Sequence, residues 1–259
     1  MAFYDFLAKK AFESKKIADY YGKLDFLFKP EDTILNEFKD KLKNMRMLDI
    51  GVGGGRTTSF FSKYAKEYIG ADYSSSMIEL CKKRFPELKD NFFVCDARNL
   101  DIFQDNYFDF VLFSFNGIDN IFIHEERMKV LKEVKRVCKK GGYFCFSVHN
   151  LLAIDNLLKI KPSNNPVKII KRKLKSYLIK ILNEDFSKLK QKRYTNIIDG
   201  EHDFKLKVYY VRPDEQIKQL KETGFSNIRA FSWDSGKEIQ DISKINDIKD
   251  LFIYFLCEA

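Results

Sequence analysis

Gly51-Val52-Gly53-Gly54-Gly55 places four of the chain's twelve glycines in five positions. The cluster follows directly on Met45 to Ile50 (MRMLDI), a short apolar run that reads as a strand, and a helix is expected from about Thr57 to Tyr64. Glycines at a strand-to-helix turn admit left-handed backbone and let a ligand approach main-chain N–H groups. In an open parallel sheet, ligands lie beyond the carboxyl ends of the strands, so this turn marks one edge of the fold as the functional edge.

The strand–helix alternation continues. Glu67 to Ala71 reads as a strand ending at Asp72, and Ser76 with Glu79 as a capping box opening a helix that stops at Pro86. Asn91 to Cys95 and Phe108 to Phe115 read as strands. Val130, Leu131, Val134, Val137 and Cys138 fall on one helical stripe, closed by Gly141-Gly142, and Tyr143 to Val148 is a further strand. Strands apolar throughout, alternating with helices, imply a parallel sheet covered on both faces. Before it, the stretch up to Asn44 reads as helices. After it, the pattern breaks from Asn150 to about Val211, then resumes with a helix from Pro213 and strands at Phe225 to Phe231 and Asp250 to Cys257.

Acids close the successive strands. Asp49 stands two residues before the first glycine, and the spacing Gly51-x-Gly53-x-Gly55 is not a dinucleotide fingerprint, which needs glycine where Arg56 stands. Asp72, 21 residues after Gly51, can accept two hydrogen bonds from a ribose diol. Asp96, followed by Ala97, can accept from an exocyclic amine such as that of adenine. Singly, Asp72 and Asp96 could be turn residues or caps; together around one glycine turn they outline a nucleoside-shaped site.

The run from Met47 to Ser147 resembles a class I S-adenosylmethionine-dependent methyltransferase. The resemblance is carried by LDIGVGGGR, YIGADYSSSMIE, CDARNL, FDFVLFSFNGIDNI and LKEVKRVCKKGGYF, in that order. It implies an α/β, Rossmann-like fold: a seven-stranded, mostly parallel sheet with helices on both faces and its last strand antiparallel. It implies a helical lid over 1–44 and a methyltransferase domain over 45–259, with a basic substrate-cap insertion at about 150–211. S-adenosylmethionine would be the cofactor and S-adenosylhomocysteine the product. Gly51, Gly53 and Gly55 would bound the cofactor's methionine end, oriented by Asp49. Asp72 would hold the ribose, Tyr73 and Met77 would flank the adenine, and Asp96 with Ala97 would meet its amine. Phe115 and Asn116, just past the fourth strand, would form the cofactor and substrate wall, and Tyr21 resembles the family's lid tyrosine.

Composition narrows the partners. Between Lys159 and Arg193 twelve Lys and Arg face two acids, a surplus of ten, so the remainder of a chain with net charge +9 sums to −1. The charge is one basic segment. Within it Ile170, Leu174, Tyr177, Leu178 and Ile181 fall on one helical face, which reads as the packed side of a cap helix with Lys171, Arg172, Lys173, Lys175 and Lys180 elsewhere around it. A small anionic metabolite, an acidic membrane surface and an RNA backbone are the ligands such cations admit. Asp199 to Val211 reads as a strand pair beside the site. Five scattered cysteines without zinc spacing, no apolar run of 18 residues and no signal-peptide pattern give a cytoplasmic, reduced protein with no metal site.

Methyl transfer needs a base only if the nucleophile arrives protonated. His149, after the fifth strand, is the best-placed catalytic candidate, with a structural histidine as the other reading. His124 reads as a cap or surface residue and His202 as an exposed turn residue. The asparagine- and proline-containing motif of nucleic-acid amino-methylating enzymes is absent after the fourth strand, which reads Phe115-Asn116-Gly117-Ile118. The expected reaction is therefore methylation of nitrogen or oxygen on a small anionic metabolite, such as a phosphorylated compound or sugar nucleotide, with RNA methylation as the alternative.

Overall fold

The computed structural model describes residues 21–259. The helices expected before Tyr21, and the side chain of His202, lie outside the described residues. Among those described, nine strands form one sheet. They are β1 (Arg46–Ile50), β2 (Glu67–Asp72), β3 (Phe92–Val94), β4 (Phe108–Phe113), β5 (Cys138–Asn150), β6 (Tyr194–Ile197), β7 (Val208–Val211), β8 (Ser226–Ser232) and β9 (Phe252–Glu258). The helices are α1 (Lys29–Leu42), α2 (Thr58–Phe61), α3 (Ser75–Arg84), α4 (His124–Val137), α5 (Pro166–Leu182), α6 (Phe186–Leu189) and α7 (Pro213–Glu222).

The parallel order is β3-β2-β1-β4-β5, with β9 antiparallel between β5 and β8. These are the seven strands expected, the last antiparallel. Alternate side chains enter opposite layers. Leu48, Ile50 and Val111 pack with Val130, Leu131 and Val134 of α4, while Met47, Phe110 and Leu112 pack with Ile34 and Phe38 of α1 and Ile78 of α3. Strands buried on both faces are why the sequence runs are apolar throughout.

The two further strands form a hairpin, β6–β7. β4 accompanies β5 only as far as Phe113↔Phe146, while β9 holds the other edge of β5 as far as His149. The edge that β4 vacates is taken up by β7, through His149↔Tyr210 and Asn150↔Val211. The insertion is thereby hung over the carboxyl ends of the central strands. It has its own small core of Leu151, Ile154, Ile179, Phe186, Leu189, Ile197, Val208 and Tyr210. The expected strand pair over Asp199 to Val211 is thus corrected: its first strand lies earlier, and Asp199 stands in the connection.

Other boundaries differ for local reasons. α2 has four residues rather than eight, because the chain turns into β2, where Lys66 N–H reaches the carbonyls of Leu42 and Met45 at 2.9 and 3.0 Å. The cap of α3 is Ser74, which accepts from Met77 N–H, so Ser76 lies inside the helix. α4 ends at Val137, not at Gly141-Gly142: Cys138 takes extended dihedrals and starts β5 at once. The largest reversal is in α5. The face expected to be packed is the face in solvent, with Ile170, Leu174, Tyr177 and Ile181 all more than half exposed, and only Ile179 is buried.

Candidate functional site

A cavity of about 320 Å³ opens at the carboxyl ends of β1, β2 and β4. Small-molecule sites span roughly 300–1,000 Å³. Its walls include Gly51, Gly53, Asp72, Tyr73, Met77 and Phe115, and it also takes in Tyr21, Asp96, Ala97 and Arg98. Of the residues expected to bind the cofactor, three do not line it: Asp49, Gly55 and Asn116.

Asp49 lies beneath the glycine loop instead. Its Oδ2 accepts from Thr57 Oγ1 at 2.6 Å and Tyr68 Oη at 2.7 Å, which pins the start of α2 to the end of β1. Burial pushes its pKa up to about 6, against the pull of those two hydroxyls. Above it, Gly53 takes φ 54°, and its N–H donates to Asp72 Oδ2 at 2.9 Å. Ser74 N–H donates to Asp72 Oδ1, also at 2.9 Å. The carboxylate is held by two backbone donors at the cavity wall, and burial raises its pKa to about 6. Gly54 is required for a different reason: a Cβ there would stand 2.6 Å from the main chain of Tyr21, which lies directly on the loop. Gly55 faces away from the cavity, against the Phe85 ring.

Asp96 is tied to its neighbour. Arg98 donates from Nη2 at 2.6 Å and from its backbone N–H at 2.9 Å, so this acid arrives at the cavity as half of an ion pair. Arg98 is a lining cation that sequence reasoning missed.

On the far wall, Phe115 and Asn116 both adopt left-handed backbone, φ 50° and 55°. Asn116 N–H is fixed by Ser147 Oγ at 2.7 Å, and its buried Oδ1 meets no donor among the described residues. Next to this wall Arg56 pairs with Glu31 of α1, beneath Phe28, whose ring lies 4.6 Å from the guanidinium carbon. Glu31 was legible only as a first-turn acid.

His149 stands outside the cavity lining. Its Nδ1 is 2.8 Å from Asp119 Oδ2, and its Nε2 is 4.0 Å from Asp199 Oδ2. Asp119 is fully buried and also paired with Arg127 at 2.7 Å. Such an arrangement fixes the imidazole tautomer and leaves Nε2 to take a proton. Asp119, inside the FNGIDNI run, was given no role from sequence. His124 is the first residue of α4 and not its cap, and it is half-buried. It stacks on Tyr194 at 4.2 Å with Nδ1 2.9 Å from Tyr209 Oη, joining α4 to the hairpin.

A methyltransferase-domain family model matches residues 48–146, the segment that carries the glycine loop and the acids. The chain belongs to the class I S-adenosylmethionine-dependent methyltransferases. It is 28% identical over 200 residues to the demethylmenaquinone methyltransferase of Staphylococcus saprophyticus, which covers 74% of each chain. It is 32% identical over 109 residues to the demethylmenaquinone methyltransferase of Paenarthrobacter aurescens, spanning 40% of that enzyme. An uncharacterized protein of Methanocaldococcus jannaschii is 28% identical over 89% of this chain and 88% of its own. In fold, the methyltransferase is similar to the CcbJ methyltransferase of Streptomyces caelestis, with a TM-score of 0.64 at 11% identity over 97% of this chain and 98% of that one. A methyltransferase of Clostridium acetobutylicum gives 0.61 at 19% identity, over 94% and 97%.

The cofactor of this methyltransferase is S-adenosylmethionine, and the cavity suits it. A ribose diol needs a fixed carboxylate, and Asp72 is one. An amino-acid tail needs close approach to the main chain, which Gly51 and Gly53, lining the cavity with left-handed backbone and no side chain, allow.

Proposed function

We propose that this methyltransferase acts on a small, planar acceptor with a largely apolar body, held on a run of aromatic rings that leads from the cofactor cavity to His149. The run carries the reading. Phe115 meets Phe28 at 5.0 Å, Phe28 meets Trp233 at 4.1 Å, Trp233 meets Phe252 at 4.8 Å, and Phe252 meets His149 at 4.8 Å. Phe28, Phe115, Trp233 and Phe252 are each half-buried, so they offer ring surface without being packed away. Contiguous aromatic surface of this kind favours a flat ring. The relatives named as demethylmenaquinone methyltransferases support the same class.

In this reading Asp72 holds the ribose hydroxyls, Tyr73 and Met77 flank the adenine, and Asp96 meets the amine while retaining Arg98. Gly51 and Gly53 bound the methionine end, and Tyr21 closes over the loop. Bound S-adenosylmethionine supplies an electrophilic methyl on sulfur. The chain's own part is to align the acceptor and keep water out. Where the acceptor is a ring hydroxyl or amine, its proton passes to Nε2 of His149, whose imidazolium Asp119 stabilises.

The expected negative charge on the acceptor rested on the basic insert, and none of the insert's cations lines the cavity. The guanidinium that does, Arg98, is engaged with Asp96. An RNA acceptor gains no support from the same lining. The test is transfer of labelled methyl to a panel of quinols, phenols and aromatic amines, set against phosphorylated sugars. Ring acceptors should be methylated, and Trp233→Leu should raise their KM by roughly three- to tenfold, the worth of one aromatic contact. Methylation of the sugars alone would overturn the reading.

A further inference from the structure

We infer that α5 is a docking surface for an anionic lipid bilayer, on which the enzyme lies with this helix parallel to the membrane plane. The inference does not depend on the acceptor. α5 has 17 residues, about 25 Å at 1.5 Å per residue. Val167, Ile170, Leu174, Tyr177 and Ile181 recur at spacings of three and four and form one continuous stripe. They are 57, 65, 56, 61 and 56% exposed. The helix is attached to the protein by its opposite side, where Ile179 is buried, Ser176 Oγ donates to Leu158 O at 3.2 Å and Arg172 Nη1 to Lys161 O at 2.7 Å. An apolar stripe turned outward along its whole length is not a cap helix covering its own core.

Charge identifies the occupant. At 100° per residue, Lys171 flanks the stripe on one side and Lys173 with Lys180 on the other. No ion pair involves Lys168, Lys171, Lys173 or Lys180 among the described residues, whereas Lys175, Lys190 and Lys192 each pair with an acid. The segment from Lys159 to Arg193 holds a surplus of ten positive charges on a body that is otherwise near neutral. Apolar side chains between two rows of unpaired lysines match the boundary between acyl chains and anionic headgroups, with the lysine stems reaching back to the phosphates. A nucleic acid would have no use for the stripe, and a second copy of this helix would bring like charges together. No described helix is long and apolar enough to cross a membrane, so the contact is peripheral.

The test is flotation of the full chain with vesicles of phosphatidylcholine alone and of phosphatidylcholine with phosphatidylglycerol. Two triple variants accompany the wild type: Ile170→Gln, Leu174→Gln, Ile181→Gln, and Lys171→Gln, Lys173→Gln, Lys180→Gln. All six positions are exposed, and unchanged cofactor affinity confirms that each variant is folded. Wild type should float with the anionic vesicles and not with the neutral ones, with binding weakened by salt. Each triple should lower the partition coefficient at least about tenfold, one by removing apolar side chains from the acyl boundary and the other by removing charge that attracts the headgroups. Failure of the wild type to bind anionic vesicles would overturn the inference. So would equal binding by the apolar triple, which would leave only a general attraction of charge. A wild-type dimer in light scattering that the apolar triple converts to monomer would assign the stripe to self-association instead.

Discussion

Arg56 holds Glu31 through both terminal nitrogens, each 2.6 Å from a different carboxylate oxygen, with Arg56 7% exposed and Glu31 fully buried. Tyr254 Oη donates to the same carboxylate at 2.6 Å, and Ser114 Oγ donates as well. One buried acid therefore joins α1, the glycine loop, the end of β4 and β9. The position where a dinucleotide fold needs its third glycine is here a structural clamp.

Removing one member of a buried, hydrogen-bonded ion pair strands the other. Arg56→Ala and Glu31→Ala should each cost about 3–5 kcal/mol of stability. Arg56→Lys should recover little, because one ammonium cannot reproduce a two-pronged contact. Urea unfolding measures this, and a loss under about 1 kcal/mol would show that the pair is not holding the segments together.

As the proposed ribose carboxylate, Asp72 should couple cofactor affinity to pH. Its folded pKa is about 6 against an ordinary 3.8, so between these values the folded chain carries more protons than the unfolded one. On that account Asp72 makes the ligand-free protein lose stability as pH rises from 3.8 to about 6, with no further change above. Ribose hydroxyls donate to the ionised form, so cofactor affinity should move the other way, tightening about tenfold between about pH 5 and 7. Asp72→Asn should flatten the dependence and weaken binding by about 1.5–3 kcal/mol at neutral pH. Titration calorimetry at several pH values checks both, and an unchanged slope in the variant would remove Asp72 from the ribose site.

Two glycines separate close approach from backbone strain. Gly54→Ala places a methyl against the Tyr21 main chain and should cost about 1–3 kcal/mol, with a matching loss of cofactor affinity. Gly141 has φ 76° but open space around it, so Gly141→Ala should cost about 1–2 kcal/mol and leave cofactor binding untouched. Melting curves paired with cofactor titration distinguish them; equal cofactor loss in both would refute the stacking of Tyr21 on the loop as its cause.

His149→Ala should lower turnover roughly a hundredfold or more while sparing cofactor affinity. Asp119→Asn, which keeps a side chain of the same size beside the imidazole, should depress turnover less. A His149→Ala enzyme with wild-type turnover would return the residue to a purely structural role.

Much of this was readable along the chain. LDIGVGGGR fixes the end of a strand and a turn within nine residues, with α2 starting just beyond it, and Asp72 ends β2 as its place in YIGADYSSS implies. These features are local: glycine conformation and strand burial act over a few residues. The pairing of Arg56 with Glu31 spans 25 positions, and no local pattern announces it. Arg98 and Asp96 are close in sequence, yet the choice of Asp96 as partner depends on how the loop after β3 folds. α5 marks the sharper boundary. Its periodicity reports correctly that one face is apolar, but periodicity carries no information about what that face meets. Nor could the place of the hairpin in the sheet be read, since what admits β7 beside β5 is the point at which β4 stops accompanying β5.

The left-handed backbone of Phe115 and Asn116 bears on redesign. Each non-glycine residue in that region carries about 1–3 kcal/mol of strain, here retained by Tyr254 Oη on Phe115 N–H and Ser147 Oγ on Asn116 N–H. β-branched replacements would be the least tolerated at either position. Directed evolution toward a new acceptor would thus be expected to find the Phe115 side of the proposed acceptor site nearly closed to variation. Phe28, Trp233 and Phe252 lie on backbone without positive φ, so they are the positions through which substrate range can drift while the cofactor half stays intact.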